Sequence, residues 1–246
     1  MNVNYDQIAQ GYDQHRRAGG PYMETLCMLL RRGPGRRVLE LGAGTGNSAA
    51  ALQEAVPCTL TALERSSGML EQALRKGIPG RWVRGSALAL PFAPNAFDFV
   101  YATYMLQFIQ DLDLLMRECW RVLERGYAAF TTAPRSFIAN HPINRYFSSF
   151  AQADLARFQP IERVEDALRA AGFAQINFEH KKKAPEPLDA AYVRKVEGKF
   201  LSTFDLLPPG EYDRGVTALR ADVEAGKCLG MHVTWETVTI WGCKES

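Results

Sequence analysis

The sequence has no CxxC pair, no apolar run long enough to span a bilayer and almost no imbalance of charge. Each absence removes a class of protein. Cys27, Cys58, Cys119, Cys228 and Cys243 are odd in number and scattered through apolar stretches, which speaks against a disulfide frame or a zinc site. They read as reduced, buried thiols of a cytoplasmic protein that binds no metal. Lys plus Arg number 29 against 27 for Asp plus Glu, so nothing pulls the whole chain toward nucleic acid or an anionic membrane. Lys181-Lys182-Lys183 is a local exception, most simply a solvated strand end. The amino-terminal stretch MNVNYDQIAQGYDQHRR is too polar for a signal peptide, and no solenoid-length repeat is present.

What remains is a chain of 246 residues, 47% of them apolar, long for one average domain and short for two. Short β-rich runs alternate with helix-period stretches, the pattern of βαβ units around a parallel sheet. Strands are expected at Arg37–Leu41, Thr59–Leu63, Arg81–Arg84, Phe97–Ala102, Tyr127–Thr132, Ala174–His180 and His232–Trp241. Helices are expected at Thr45–Val56, Ser66–Lys76, Leu112–Leu123 and Ile161–Ala171, the last closed by Gly172, with Leu188–Ala225 mostly helical. Ala133–Pro160 shows no clean period.

The most informative segment is Glu40-Leu41-Gly42-Ala43-Gly44-Thr45-Gly46. Glycines between a strand and a helix let a ligand approach the backbone and aim helix N-terminal N–H groups at it. The spacing is GxGxG, and Asn47 stands where the dinucleotide fingerprint has its third glycine, which disfavours an NAD-dependent oxidoreductase. Glu40 lies within the strand, where a carboxylate needs a partner. Glu64 ends the second strand, placed to accept both hydroxyls of a ribose.

With these residues the chain resembles the class I S-adenosylmethionine-dependent methyltransferases, in their ubiquinone-biosynthesis-like (type 11) branch. Gly85–Phe92 resembles that family's adenine-contact segment and Phe97-Asp98-Phe99-Val100 its fourth strand. Tyr5-Asp6 and Tyr12-Asp13 resemble a segment that packs over the cofactor. The resemblance covers most of residues 1–132 and, more loosely, 161–180 and 232–243. It implies an α/β, Rossmann-like, seven-stranded, mostly parallel sheet with an antiparallel last strand, helices on both faces and helical cap insertions. It implies S-adenosylmethionine as cofactor, with the backbone of Gly42, Ala43 and Gly44 along its methionine and ribose. Glu64 would take the ribose hydroxyls with Arg65 beside it, and Met69, Ser86 and Ala87 would meet the adenine. Ala102 would offer a carbonyl to the methionine ammonium, Tyr12 would lie over the cofactor and Gln107 would form the floor toward the acceptor. A Gly44→Val substitution would then abolish cofactor binding.

Three departures stand out. Ser86 replaces the usual adenine-binding aspartate, which costs one hydrogen bond of about 1 kcal/mol. Arg125-Gly126 keeps one glycine of the turn before the fifth strand. Gln107-Phe108 replaces a pair of histidines and removes a general base, which leaves His15 and His141 as the candidate catalytic bases. A base is needed only if the acceptor is a hydroxyl, a protonated amine or a weak carbon acid. Phe137, Tyr146, Phe147, Phe150 and Phe158 read either as an apolar pocket wall or as the underside of a lid.

One domain, 1–246, is therefore expected. Its core would comprise 1–132, 161–183 and 229–246, and its substrate cap 133–160 and 184–228. The expected function is methyl transfer from S-adenosylmethionine to a small molecule by in-line displacement, in a monomer or homodimer without nucleic acid or membrane partners. An RNA or protein methyltransferase and a non-catalytic cofactor-binding module are the alternatives.

Overall fold

Apolar residues at alternate positions make the strands, and apolar residues three and four apart make the helices that cover them. The computed structural model describes residues 3–14 and 20–245. A short helix α1 (Tyr5–Ile8) and a 3-10 turn over Ala9–Gln14 precede α2 (Tyr22–Arg32). Then come β1 (Arg37–Leu41), α3 (Asn47–Ala55), β2 (Thr59–Glu64), α4 (Ser67–Arg75), β3 (Arg81–Arg84), β4 (Phe97–Thr103), α5 (Leu112–Val122) and β5 (Leu123–Thr132). The chain continues through α6 (Arg135–Ala139), α7 (Phe150–Leu155), α8 (Ile161–Ala171), β6 (Ala174–Lys182), β7 (Glu186–Pro187) and α9 (Ala190–Glu197). It ends with α10 (Glu211–Glu224), β8 (His232–Val233) and β9 (Glu236–Lys244).

Seven strands form one sheet in the order β3-β2-β1-β4-β5-β9-β6. The pairs from β3 to β5 are parallel, and β9 runs antiparallel to both β5 and β6. This is the mostly parallel sheet with an antiparallel last strand that the family resemblance implies. Val38, Phe99, Tyr101 and Ala129 pack under α2 and α3 with Leu26, Leu30 and Leu52. Leu39, Leu41, Val100, Ala102 and Phe130 pack on the opposite side with Leu115, Cys119, Val164 and Leu168 of α5 and α8. Fully burying one such aliphatic or aromatic side chain is worth roughly 1.5–3 kcal/mol. Strand order reverses between β1 and β4, so the chain leaves their carboxyl ends in opposite directions and opens a crevice there.

The two segments that stand outside the sheet share a third apolar core. Ile143, Phe147 and Phe150 pack with Leu188, Tyr192, Val196, Phe204 and Leu219. Residues on either side of α8 and β6 in the chain thus share one apolar core. The irregular stretch after β5 holds two short helices, α6 and α7, which its lack of period concealed.

Several boundaries differ from the sequence expectation. His232 does not begin the last strand of the sheet. It belongs to β8, which pairs with β7 in a separate two-stranded sheet. The break comes at Trp235, whose Nε1 donates to Glu186 at 3.0 Å and whose ring packs 5.5 Å from Phe137 and 5.7 Å from Phe200. The cap's aromatic cluster therefore takes the tryptophan, and the long strand restarts at Glu236. Arg125-Gly126 is not a turn before β5 but lies inside it, where the register with β4 shifts. Lys181 and Lys182 end β6 paired with Glu24 at 2.6 Å and Glu236 at 2.8 Å, so two of the three clustered lysines have carboxylate partners.

Candidate functional site

β1 ends at Leu41, and the next five residues turn the chain into α3. Gly42, Gly44 and Gly46 hold φ at +63°, +56° and +83°, a region that costs L side chains roughly 1–2 kcal/mol. The three are not equivalent. A Cβ on Gly42 would fall 2.6 Å from Met105 Cγ, and one on Gly46 would fall 2.5 Å from Ile78 Cδ1. A Cβ on Gly44 would meet nothing within 4 Å. Packing accounts for the first and third glycines, and open space lies over the second.

Glu64 sits at the carboxyl end of β2 and turns toward this loop. Its Oε2 accepts the Gly44 N–H at 2.8 Å and its Oε1 accepts the Ser66 N–H at 2.8 Å. A carboxylate has about four acceptor directions, so capacity remains for a ligand. Arg65 is exposed beside it, and its carbonyl accepts from Arg84. Met69 is buried in the first turn of α4, where its N–H donates to the capping Ser66 hydroxyl at 3.1 Å.

Two aspartates of the amino-terminal strap reach the same edge. Asp6 accepts from the Gly68 N–H at 2.8 Å and the Ser66 hydroxyl at 2.7 Å, and these bonds hold its carboxyl below the ordinary range. Asp13 accepts from the Thr45 hydroxyl at 2.6 Å and the Asn47 amide at 2.8 Å, and pairs with Lys76 at 2.7 Å. Burial works against the Asp13 charge, but Lys76, Thr45 and Asn47 outweigh it and lower its pKa. Tyr12, next to Asp13, lies with its ring 6.2 Å from that of Tyr5. The paired Tyr-Asp motif is thus a strap pinned at both aspartates to the loop and to α4. Sequence reasoning found the motif but not its partners. Thr45, Asn47 and Lys76 carry no signal of their own until the fold brings them to Asp13.

Beneath the loop, Glu40 pairs in register with Tyr101 across β1 and β4 and is fully buried. Burial pushes its carboxyl up to about 8, despite the lowering effect of the nearby Tyr101 and Ser48 hydroxyls. Its Oε2 is fully buried, with the Tyr101 and Ser48 hydroxyls beside it. Burial thus favours the neutral acid of Glu40 over a buried anion.

On the far side of the crevice, Ser86 is exposed and its hydroxyl accepts the Leu88 N–H at 3.2 Å, while Ala87 is half-buried against the core. Ala102 lies inside β4, between Leu41 of β1 and Phe130 of β5. Gln107 follows in a 3-10 turn. Its Nε2 donates to the Tyr104 carbonyl at 2.6 Å, and its Oε1 is buried without a partner. Met105, which covers Gly42, was not visible as a site residue because nothing in its local pattern separates it from a core methionine.

The two histidines fare differently. His15 lies outside the described residues. His141 is buried in the cap's aromatic cluster, with ring centroids 5.1 Å from Phe137 and 5.2 Å from Trp235. Its Nδ1 accepts the Ile143 N–H at 3.1 Å, and desolvation lowers its pKa to about 4. A neutral ring that accepts at Nδ1 carries its proton on Nε2, which is buried without a partner. The structure therefore gathers the strap, the glycine loop, Glu64 and Met69 along one edge and places His141 in the cap core. Among the described residues no group of three His, Cys, Asp or Glu side chains is arranged to hold a metal, and no helix is long and apolar enough to cross a membrane.

Comparisons with known proteins bear on this geometry. Residues 39–130 match the family model described as a methyltransferase domain. The chain is 32% identical over 188 residues to malonyl acyl-carrier-protein O-methyltransferase of Methylococcus capsulatus, covering 73% of this chain and 67% of that one. It is 34% identical over 128 residues to demethylmenaquinone methyltransferase of Thermotoga maritima, covering 49% of this chain and 56% of that one. A solved structure from Anabaena variabilis, described as a methyltransferase from an antibiotic biosynthesis pathway, aligns with a TM-score of 0.75. That alignment covers 94% of this chain and 99% of that one at 21% identity, and it shows the shared fold.

Proposed function

This chain belongs to the class I S-adenosylmethionine-dependent methyltransferases, and on that premise we propose that it methylates a small molecule held between the sheet's carboxyl edge and the cap. The observation that carries the placement is Gly44. Alone among the three loop glycines it faces open space, while its N–H is held by the carboxylate of Glu64 at 2.8 Å. A cofactor with a ribose and a methionine moiety fits this cradle. Its backbone-lined side admits close approach, and Glu64 keeps acceptor capacity for two hydroxyls.

In this arrangement the backbone of Gly42, Ala43 and Gly44 lies along the methionine and ribose, and Met69, Ala87 and Ser86 enclose the adenine. Tyr12 and the strap close over the top, fixed by Asp6 and Asp13. The bound cofactor supplies an activated methyl group together with its leaving group, so the chain's work is alignment and exclusion of water. Gln107 and Phe108, at the mouth after β4, form the floor on which the acceptor rests. The relatives named above carry acceptors of unlike chemistry in their names, so choice of acceptor falls to the cap. Residues 1–246 act as one domain, with 133–160 and 184–228 as that cap.

Incubation with cofactor carrying a labelled methyl group and a cell extract, followed by mass spectrometry, tests the function. Label in a small molecule, with stoichiometric S-adenosylhomocysteine, is the expected result. Label confined to RNA or protein, or no S-adenosylhomocysteine at all, would overturn it.

A further inference from the structure

A cavity of about 340 Å³ lies between the amino-terminal strap and the cap, within the size range of small-molecule sites. The strap lines it with Gln7, Tyr12 and Gln14, and the cap with Glu197, Lys199, Phe200 and Asp205. A chain of rings joins it to the crevice. Tyr12 packs 6.2 Å from Tyr5, and Tyr5 packs 5.3 Å from Phe108 at the mouth after β4. Tyr12 also adjoins Asp13, which holds the strap to Thr45 of the glycine loop at 2.6 Å.

Lys199 stands just past α9 with φ at +48°, a conformation that glycine adopts far more easily than lysine. Its N–H donates to the Val196 carbonyl at 2.9 Å and that of Phe200 to the Lys195 carbonyl at 3.2 Å, the two bonds that close a helix on a left-handed residue. Glycine would serve this turn, yet it stands one position earlier, at Gly198. The strain is therefore not explained by the turn and points to the lysine side chain. That ammonium pairs with Asp205 Oδ1 at 2.9 Å and lies 4.7 Å from the centre of the Tyr212 ring. Glu197 is matched as well, its Oε1 accepting from Arg220 Nη2 at 2.5 Å and Nε at 3.2 Å. Among the described residues, each charge on this wall thus has its counter-charge within the protein. A charged guest would leave water without gaining one of its own. An uncharged guest finds more. The carboxamides of Gln7 and Gln14 donate and accept without charge, and Tyr12 and Phe200 bring rings to the lining. Phe200 is fixed in the cap by edge-to-face contacts with Tyr192 at 5.8 Å and Trp235 at 5.7 Å.

On the small-molecule reading given above, we propose that this cavity receives the body of the methyl acceptor and that the Lys199–Asp205 pair makes it selective for an acceptor without net charge. Gln7 and Gln14 hold the acceptor's polar atoms, and Tyr12 and Phe200 its apolar part. Lys199 and Asp205 neutralise each other and set specificity; neither takes part in methyl transfer.

Benzamide, benzoate and benzamidine test this, since they share a ring and a planar head group and differ in charge. Calorimetric titration uses the full chain saturated with S-adenosylhomocysteine, whose own binding is measured first. The unmodified protein is expected to bind benzamide about threefold or more tightly than either charged probe. Asp205→Asn uncovers the Lys199 ammonium and raises benzoate affinity about threefold, and Lys199→Gln uncovers the Asp205 carboxylate and does the same for benzamidine. The double variant Lys199→Gln with Asp205→Asn restores the preference for benzamide. All three variants keep their S-adenosylhomocysteine affinity within about twofold. A pair that only holds the turn would weaken the three probes alike. Preference for a charged probe in the unmodified protein, no binding of any probe, or an order of affinities that the single variants leave unchanged would overturn the proposal. Failure of S-adenosylhomocysteine to bind the unmodified protein is a separate result and would overturn the cofactor placement on which the proposal rests.

Discussion

Replacing Gly44 by alanine adds one methyl group at the loop position where the folded chain has room for it. The cost to the fold comes from the backbone, because φ at +56° lies in the left-handed region, which costs an L residue roughly 1–2 kcal/mol. Loss of glycine entropy in the unfolded chain offsets about 0.4–1 kcal/mol of that. The net loss is then at most about 1.5 kcal/mol, and at roughly 2–4 °C per kcal/mol for a chain of this size the melting temperature falls by no more than ~6 °C. Binding suffers more. A methyl group intruding on a closely fitted ligand costs about 1–3 kcal/mol, or roughly 5- to 150-fold in affinity. Gly46→Ala is the contrasting control. Its Cβ collides with Ile78 and Trp82 inside the folded chain, so the larger effect should be on stability. Thermal melts and calorimetric titration with S-adenosylhomocysteine on both variants separate the two costs. A well-folded Gly44→Ala protein that binds within twofold of the unmodified chain would refute the placement of the ligand over Gly44.

Two further outcomes follow from the buried groups. Glu40, with a pKa raised from 4.5 to about 8, stays protonated in the folded chain while the unfolded chain ionises. Its contribution is full below pH 4.5 and is lost as pH rises toward 8, at up to about 1.4 kcal/mol per pH unit. Chemical denaturation of Glu40→Gln across that range should show a flatter stability profile, and an unchanged slope would mean Glu40 is ionised in the folded chain. His141→Asn should lower the melting temperature, since the side chain fills an aromatic cluster, yet leave both limbs of the pH–rate profile where they are. A limb that moves in this variant would make His141 a participant in proton transfer.

Much of the sheet was legible because its signals are local. Strand and helix periods, the glycines after β1 and the acid ending β2 all lie within a few residues of the geometry they produce. Boundaries slipped where a distant partner intervened. Trp235 is a plausible strand residue by its neighbours, but the cap's aromatic rings and Glu186 draw it out and divide the last strand in two. His141 has the residue type and the loop position of a base. Only the folded chain shows the rings packed around it and the Ile143 N–H at its Nδ1.

By itself the sequence determined the α/β alternation, the glycine loop after β1 and the acid ending β2, since chain neighbours set backbone preference and strand ends. Tertiary structure decided which of three equivalent-looking glycines faces open space, because that depends on where Met105, Ile78 and Trp82 come to rest. It also decided that Asp6 and Asp13 pin a strap, and that two segments separated by α8 and β6 share one core. Each of these rests on contacts between residues far apart in the chain, which no local period or spacing encodes.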